Sequence, residues 1–115
     1  MGYKFFIGIC LFILTHILVW FSTNLQLVER FNSINTLALT IALAIPTSLC
    51  GYYGTRIIYD SLQDSLWAVR FVGFGVSYFV FPILTWTLLG ESMFTVKTMV
   101  CIFLSLVIVA IQVFL

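Results

Sequence analysis

The sequence predicts an all-α integral membrane protein, a bundle of four transmembrane helices forming a single domain over residues 1–115. Three observations predict it. The chain is 63% hydrophobic and only 8% charged, far from the soluble balance of about 25% charged residues. Its apolar residues gather into four long runs, each near the ~20 residues that a spanning helix needs. The runs have almost no polar faces, which helices of a soluble protein this small would require.

The first run is Phe5–Leu25. Lys4 precedes it, as the charged region of a signal peptide would. The run is too long for a signal core, however, and its exit, Phe21-Ser22-Thr23-Asn24, lacks a small-X-small cleavage site. It is therefore read as a helix of the mature protein. His16 lies near mid-span, with Trp20 on the same face at i+4. Intramembrane ionisable groups mark functional sites by default, so His16 either lines a cavity or makes a hydrogen bond to a neighbouring helix.

The second run is Ile34–Tyr53. Ala38 and Ala42, Ala44 and Ser48, Thr47 and Gly51, and Cys50 and Gly54 are each four apart. Small residues at that spacing let helix backbones approach closely in lipid, which places this span at the centre of packing. Pro46 removes one backbone hydrogen bond and should kink the helix. The carbonyls it frees either face a cavity or the kink serves packing alone. In the connection Thr55–Ser65, Ile58, Leu62 and Leu66 repeat at i, i+4, i+8, with Arg56, Asp60 and Asp64 beside them. That pattern predicts a turn or two of helix lying in the interface.

The third run, Leu66–Leu89, holds Arg70 about one turn inside, the small pair Gly73 and Ser77, and a second proline, Pro82. Arg70 either snorkels to the headgroups or supplies a cation at a cavity mouth. The fourth run, Thr95–Leu115, is nearly pure aliphatic, interrupted by Cys101, Ser105, Ala110 and Gln112.

Four spans put both termini on one side. That side carries Lys4, Arg56 and Arg70, the other Arg30 and Lys97. The Lys/Arg count of short loops sets orientation, and this small excess weakly favours cytoplasmic termini. So slight a bias also permits insertion both ways, from which antiparallel dimers are built. Tyr3, Phe5 and Phe6 at one end of the first span, Trp20 and Phe21 towards the other, and Tyr52, Tyr53, Tyr59 and Trp67 near the central connection are read mostly as interface anchors.

Several classes fall away. A net charge of +1 gives no footprint for nucleic acid. Cys10, Cys50 and Cys101 lie inside spans without metal-ligand or disulfide spacing, and are read as small packing residues at helix interfaces. No catalytic constellation, metal site or cofactor motif is present, so an enzyme is not expected. The acidic residues Glu29, Asp60, Asp64 and Glu91 fall at or near the interfaces, so any transport is not driven by carboxylate protonation within the membrane.

The stretch Phe81-Pro82-Ile83-Leu84-Thr85-Trp86-Thr87-Leu88-Leu89-Gly90-Glu91 resembles the drug/metabolite transporter superfamily, whose members carry an apolar proline-bearing helix ending in Leu-Gly-Glu before a last aliphatic helix. Ser92–Leu115 is similar to that last helix, and Gly54-Thr55-Arg56-Ile57-Ile58-Tyr59 and Thr15–Leu25 are similar to parts of small four-helix members. The resemblance implies a small-multidrug-resistance-like transporter working as a dimer. The chain departs from the small multidrug resistance proteins in two ways. Phe5–Leu25 holds no acidic residue, and the last helix holds no glycine. Both departures argue against proton-coupled drug export.

The leading functional expectation is a small transporter of a small organic or lipid-linked substrate, multi-pass in the cell (inner) membrane. Its partners are the lipid bilayer and a second copy or a larger membrane assembly. The path runs between subunits near the candidate substrate-binding residues His16, Trp20 and Pro46, by alternating access. The alternative is a non-transporting accessory subunit of a larger membrane complex. A pore ranks last, because no polar stripe runs the full depth of a helix.

Overall fold

A computed structural model describes residues 2–29, 35–92 and 94–115. Ile34, the expected start of the second span, and Arg30, counted in the charge balance, lie outside the described residues. The chain forms α1 (Gly2–Asn24) followed by a 3-10 turn (Leu25–Leu27), α2 (Thr36–Ser61), α3 (Leu66–Leu84) continued by a π turn (Thr85–Leu89), and α4 (Val96–Phe114). All four helices are long and apolar enough to cross a membrane.

Local chemistry starts three of them. The side chains of Asn35, Ser65 and Thr95 accept hydrogen bonds from the backbone N–H of Ala38, Ala68 and Thr98 at 3.1, 3.2 and 3.2 Å. Each satisfies one of the otherwise orphaned donors of a first turn.

The pairing of side chains gives the topology. Gly8 faces Ile58, Phe12 faces Gly54 and Thr15 faces Gly51, so α1 and α2 are antiparallel. Phe12 also faces Gly73, while Trp20 meets Thr85, so α1 and α3 run parallel. Gly75 faces Val109, and the rings of Trp86 and Phe94 meet edge-on at 5.2 Å, so α3 and α4 are antiparallel. The bundle is thus two hairpins joined along α1 and α3. Phe5 and Phe114 line one groove, which places the start of α1 and the end of α4 at the same end.

Helix α3 is the central element. It buries Ala68, Val69, Val72, Gly75, Val76, Val80 and Pro82, against Phe12 of α1 and Ile58 of α2. This corrects the expectation that α2 is the packing centre. Helix α2 buries only Gly54 and Ile58, and Ala38, Ala42, Ala44 and Ser48 are exposed. Small-residue spacing shows that a helix can be approached closely. At Gly51 and Gly54 a helix of the same chain does so, since α1 presents Thr15 and Phe12 there, whereas the four residues nearer the start of α2 stay exposed. Cys10 and Cys101 are likewise exposed rather than packed between helices, and Cys50 is half-buried.

The connection also differs from expectation. Helix α2 continues through Arg56 and Asp60 to Ser61, so the repeat of Ile58 and Leu62 is its buried stripe and not a separate interfacial helix. The reversal is confined to a short link in which Gln63 and Asp64 adopt left-handed backbone angles, φ 57° and 59°. The link is tied down: the N–H groups of Leu62 and Asp64 both donate to the Tyr59 carbonyl, at 3.3 and 3.1 Å. Helix α2 remains continuous through Pro46. Shortly after Pro82, α3 widens into the π turn, which closes where the Gly90 N–H, at φ 86°, donates to the Thr85 carbonyl at 3.0 Å.

Candidate functional site

Helices α2 and α3 are neighbours in sequence but stand apart in space, and an open cleft lies between them. Its outer part, about 640 Å³, is lined by Ser48, Tyr52, Arg56 and Tyr59. Its inner part, about 440 Å³, reaches Thr15, His16, Arg70 and Phe74. Gly51, Thr55 and Leu66 line both parts, so the two are continuous.

The cations sit at one end. Arg70 is four residues into α3 and Arg56 five residues from the end of α2, which puts them about 6 and 8 Å inside the helix ends at 1.5 Å per residue. The Arg70 guanidinium rests over the Phe74 ring, 4.7 Å from its centroid. That cation–π contact holds it against α3 at the cleft wall, where snorkelling would extend it away. Arg56 Nε lies 3.5 Å from Asp60 Oδ2, an exposed i,i+4 pair. Such pairs hold weakly. No carboxylate pairs with Arg70 among the described residues.

His16 is half-buried and closes the deep end of the cleft, near Gly73. On its other side a groove of about 310 Å³ runs past Trp20, Thr23 and Ser77. His16 and Trp20 are therefore brought together on the face of α1 turned to α3. Trp20 is otherwise engaged, being 2% exposed with its Nε1 donating to Thr85 Oγ1 at 3.0 Å. Phe21 packs edge-on against it at 5.5 Å, and Leu25 and Val28 complete the cluster. Its indole thus locks two helices and is not an interface anchor. Pro46 lines none of these three spaces. It stands apart on α2 beside Thr47, whose hydroxyl is buried without a hydrogen-bond partner among the described residues.

The sequence reading missed the polar face of α2. Ser48, Tyr52 and Arg56 form one i,i+4 row, and Gly51, Thr55 and Tyr59 form the next, so the two rows lie side by side on one face. The signal was present in the spacing, but it straddles Tyr53, where the apolar run ends. Among the described residues no three His, Cys, Asp or Glu side chains gather to hold a metal ion.

Comparison with known protein families, curated proteins and solved structures finds no match. The likeness to the drug/metabolite transporter superfamily therefore stands on the motif residues alone.

Proposed function

We propose that the chain is a multi-pass protein of the cell (inner) membrane and a small transporter-like member of the drug/metabolite transporter superfamily. It works as a homodimer or within a larger membrane assembly and moves a small organic or lipid-linked substrate. The observation that carries this reading is the cleft between α2 and α3, open sideways, with Arg56 and Arg70 near its mouth and His16 at its deep end. The hairpins α1–α2 and α3–α4 meet along α1 and α3. Turning one hairpin against the other would expose the cleft to alternate sides, the motion that alternating access requires.

The test is a lock across the cleft. In a background with Cys10, Cys50 and Cys101 replaced by Ala, Thr55→Cys and Phe74→Cys place one thiol on each wall. Cross-linking should stop substrate movement in proteoliposomes, and reduction should restore it. Undiminished movement with complete cross-linking would rule out this path.

A second reading has its own support. Ala38 and Ala42 leave a pair of small side chains exposed on one face of α2, which a helix of another chain can approach closely. On that reading the protein is a non-transporting accessory subunit. It predicts that Ala42→Leu releases a co-purifying partner, and an unchanged set of co-purifying chains would rule it out.

A further inference from the structure

We infer that the cleft between α2 and α3 binds a membrane amphiphile with an anionic phosphate headgroup, held by Arg70 and assisted by Arg56. The inference deepens the proposed function and rests on its placing of the cleft within the bilayer.

The argument begins with the unsatisfied cation. Arg70 is held to the cleft wall by Phe74 and has no carboxylate partner among the described residues. Arg70 is exposed along the cleft, so its guanidinium is open to an anion, and its planar fork matches the oxygens of a phosphate. The acidic groups at this end do not supply the pair. Asp60 is turned to Arg56 at 3.5 Å, and Asp64 sits in the link between the helices. The second cation lines the same cleft from the opposite wall at a similar depth. Two guanidinium groups flanking one space repel a cationic ligand and favour an anionic one.

The cleft also distinguishes a headgroup from a free anion. Thr55 lines both of its parts, and its hydroxyl makes no hydrogen bond within the chain among the described residues, in contrast to Thr15, which bonds back to the Leu11 carbonyl at 2.8 Å. Polar donors thus sit beside the cations. Phe12, Leu66, Val69 and Phe74 line the inner part beside Thr15 and His16, an apolar surface that suits a hydrocarbon tail better than a hydrated ion.

The test uses the full chain in non-ionic detergent micelles, with bound lipid counted by native mass spectrometry. Phosphatidic acid and phosphatidylcholine with the same acyl chains are the probes. Phosphatidic acid should bind in preference. Arg70→Gln should weaken it by about tenfold, the loss of one charge-assisted pair. Arg56→Gln should weaken it less, and Arg70→Lys, which keeps the charge but loses the fork and the stacking on Phe74, should restore only part of the preference. Lys97→Gln, on α4 outside the cleft, should have no effect. Inorganic phosphate in large excess should not displace the lipid. Three results would each overturn the inference: wild-type binding by an Arg70→Gln chain with normal helicity, an equal loss in Lys97→Gln, or displacement by inorganic phosphate. Should Arg70→Gln fail to fold, the wild-type chain decides, and equal binding of the two lipids refutes the site. Binding and transport fail separately. Lipid preference without movement in proteoliposomes defeats only the transport reading, and movement without lipid preference defeats only this one.

Discussion

Helix α2 packs along α1 but stands off from α3, although all three helices are apolar enough to span a membrane. The side chains at the two faces explain the difference. Where α2 meets α1, glycines remove the side chain at the crossing points. A Cβ on Gly8 would clash with Ile58 Cδ1, and one on Gly54 would lie 2.9 Å from Phe12 Cδ1. Where α2 looks toward α3, Tyr52, Arg56 and Tyr59 occupy the face, and the backbones stay apart. In lipid, apolar burial gives no preference for helix over tail. Whether two helices close or leave a cleft is then decided by side-chain size at a few positions.

That comparison is broken most directly at the closed face. Gly8→Val must displace Ile58, which is fully buried. A loss of about 1–3 kcal/mol, the usual cost of overpacking, is expected in denaturing-detergent titrations followed by circular dichroism. Gly75→Val should behave alike, since its Cβ would meet Val109 Cγ2 at 2.6 Å. Ala42→Leu, on an exposed face, should stay within about 0.5 kcal/mol. Similar losses at Gly8 and Ala42 would mean that the faces do not differ as described.

The joint between hairpins comes next in size. Trp20→Phe removes the donor to Thr85, and Thr85→Val removes the acceptor. Each should cost about 1 kcal/mol, and their coupling in a double-mutant cycle should lie near 0.6–1.7 kcal/mol. Additive losses would show that the 3.0 Å contact holds nothing together.

Smaller effects sharpen the open face. Gly51→Ala should be nearly neutral, within about 0.5 kcal/mol, because its Cβ would reach only Thr15 Cγ2 at 3.9 Å. Asp60→Asn should cost less than about 0.5 kcal/mol, with the difference fading in high salt. His16→Gln should leave assembly and helicity intact while altering substrate movement. Unaltered movement would reduce His16 to a packing residue.

Four apolar helices and their order were legible because hydrophobic length is written locally in the sequence. What decides packing was not. The end of an apolar run at Tyr53 reports hydrophobic thickness and not the end of a helix, so α2 was cut before Arg56 and its polar face was divided between a span and a loop. The Trp20–Thr85 bond joins residues 65 apart, beyond any local periodicity. Depth offers a partial signal for such pairs, since Trp20 and Thr85 each lie four residues before the end of α1 and of the π turn, respectively. His16 was legible as a lone imidazole within an apolar run. Gly73, near which it lies, comes from another helix, and only the folded arrangement brings the two together.

The link between α2 and α3 sets the angle at which the second hairpin leaves the first. Two consecutive non-glycine residues, Gln63 and Asp64, hold left-handed angles there, each at a steric cost of roughly 1–2 kcal/mol. Replacing either by Gly would relieve that strain and stabilise the folded chain on this account alone. It would also give the link more conformational freedom and broaden the spread of cleft widths. The chain thus holds a strained turn at these two residues, and glycine at 63 or 64 would exchange that strain for a greater loss of chain entropy on folding and a looser link between the hairpins.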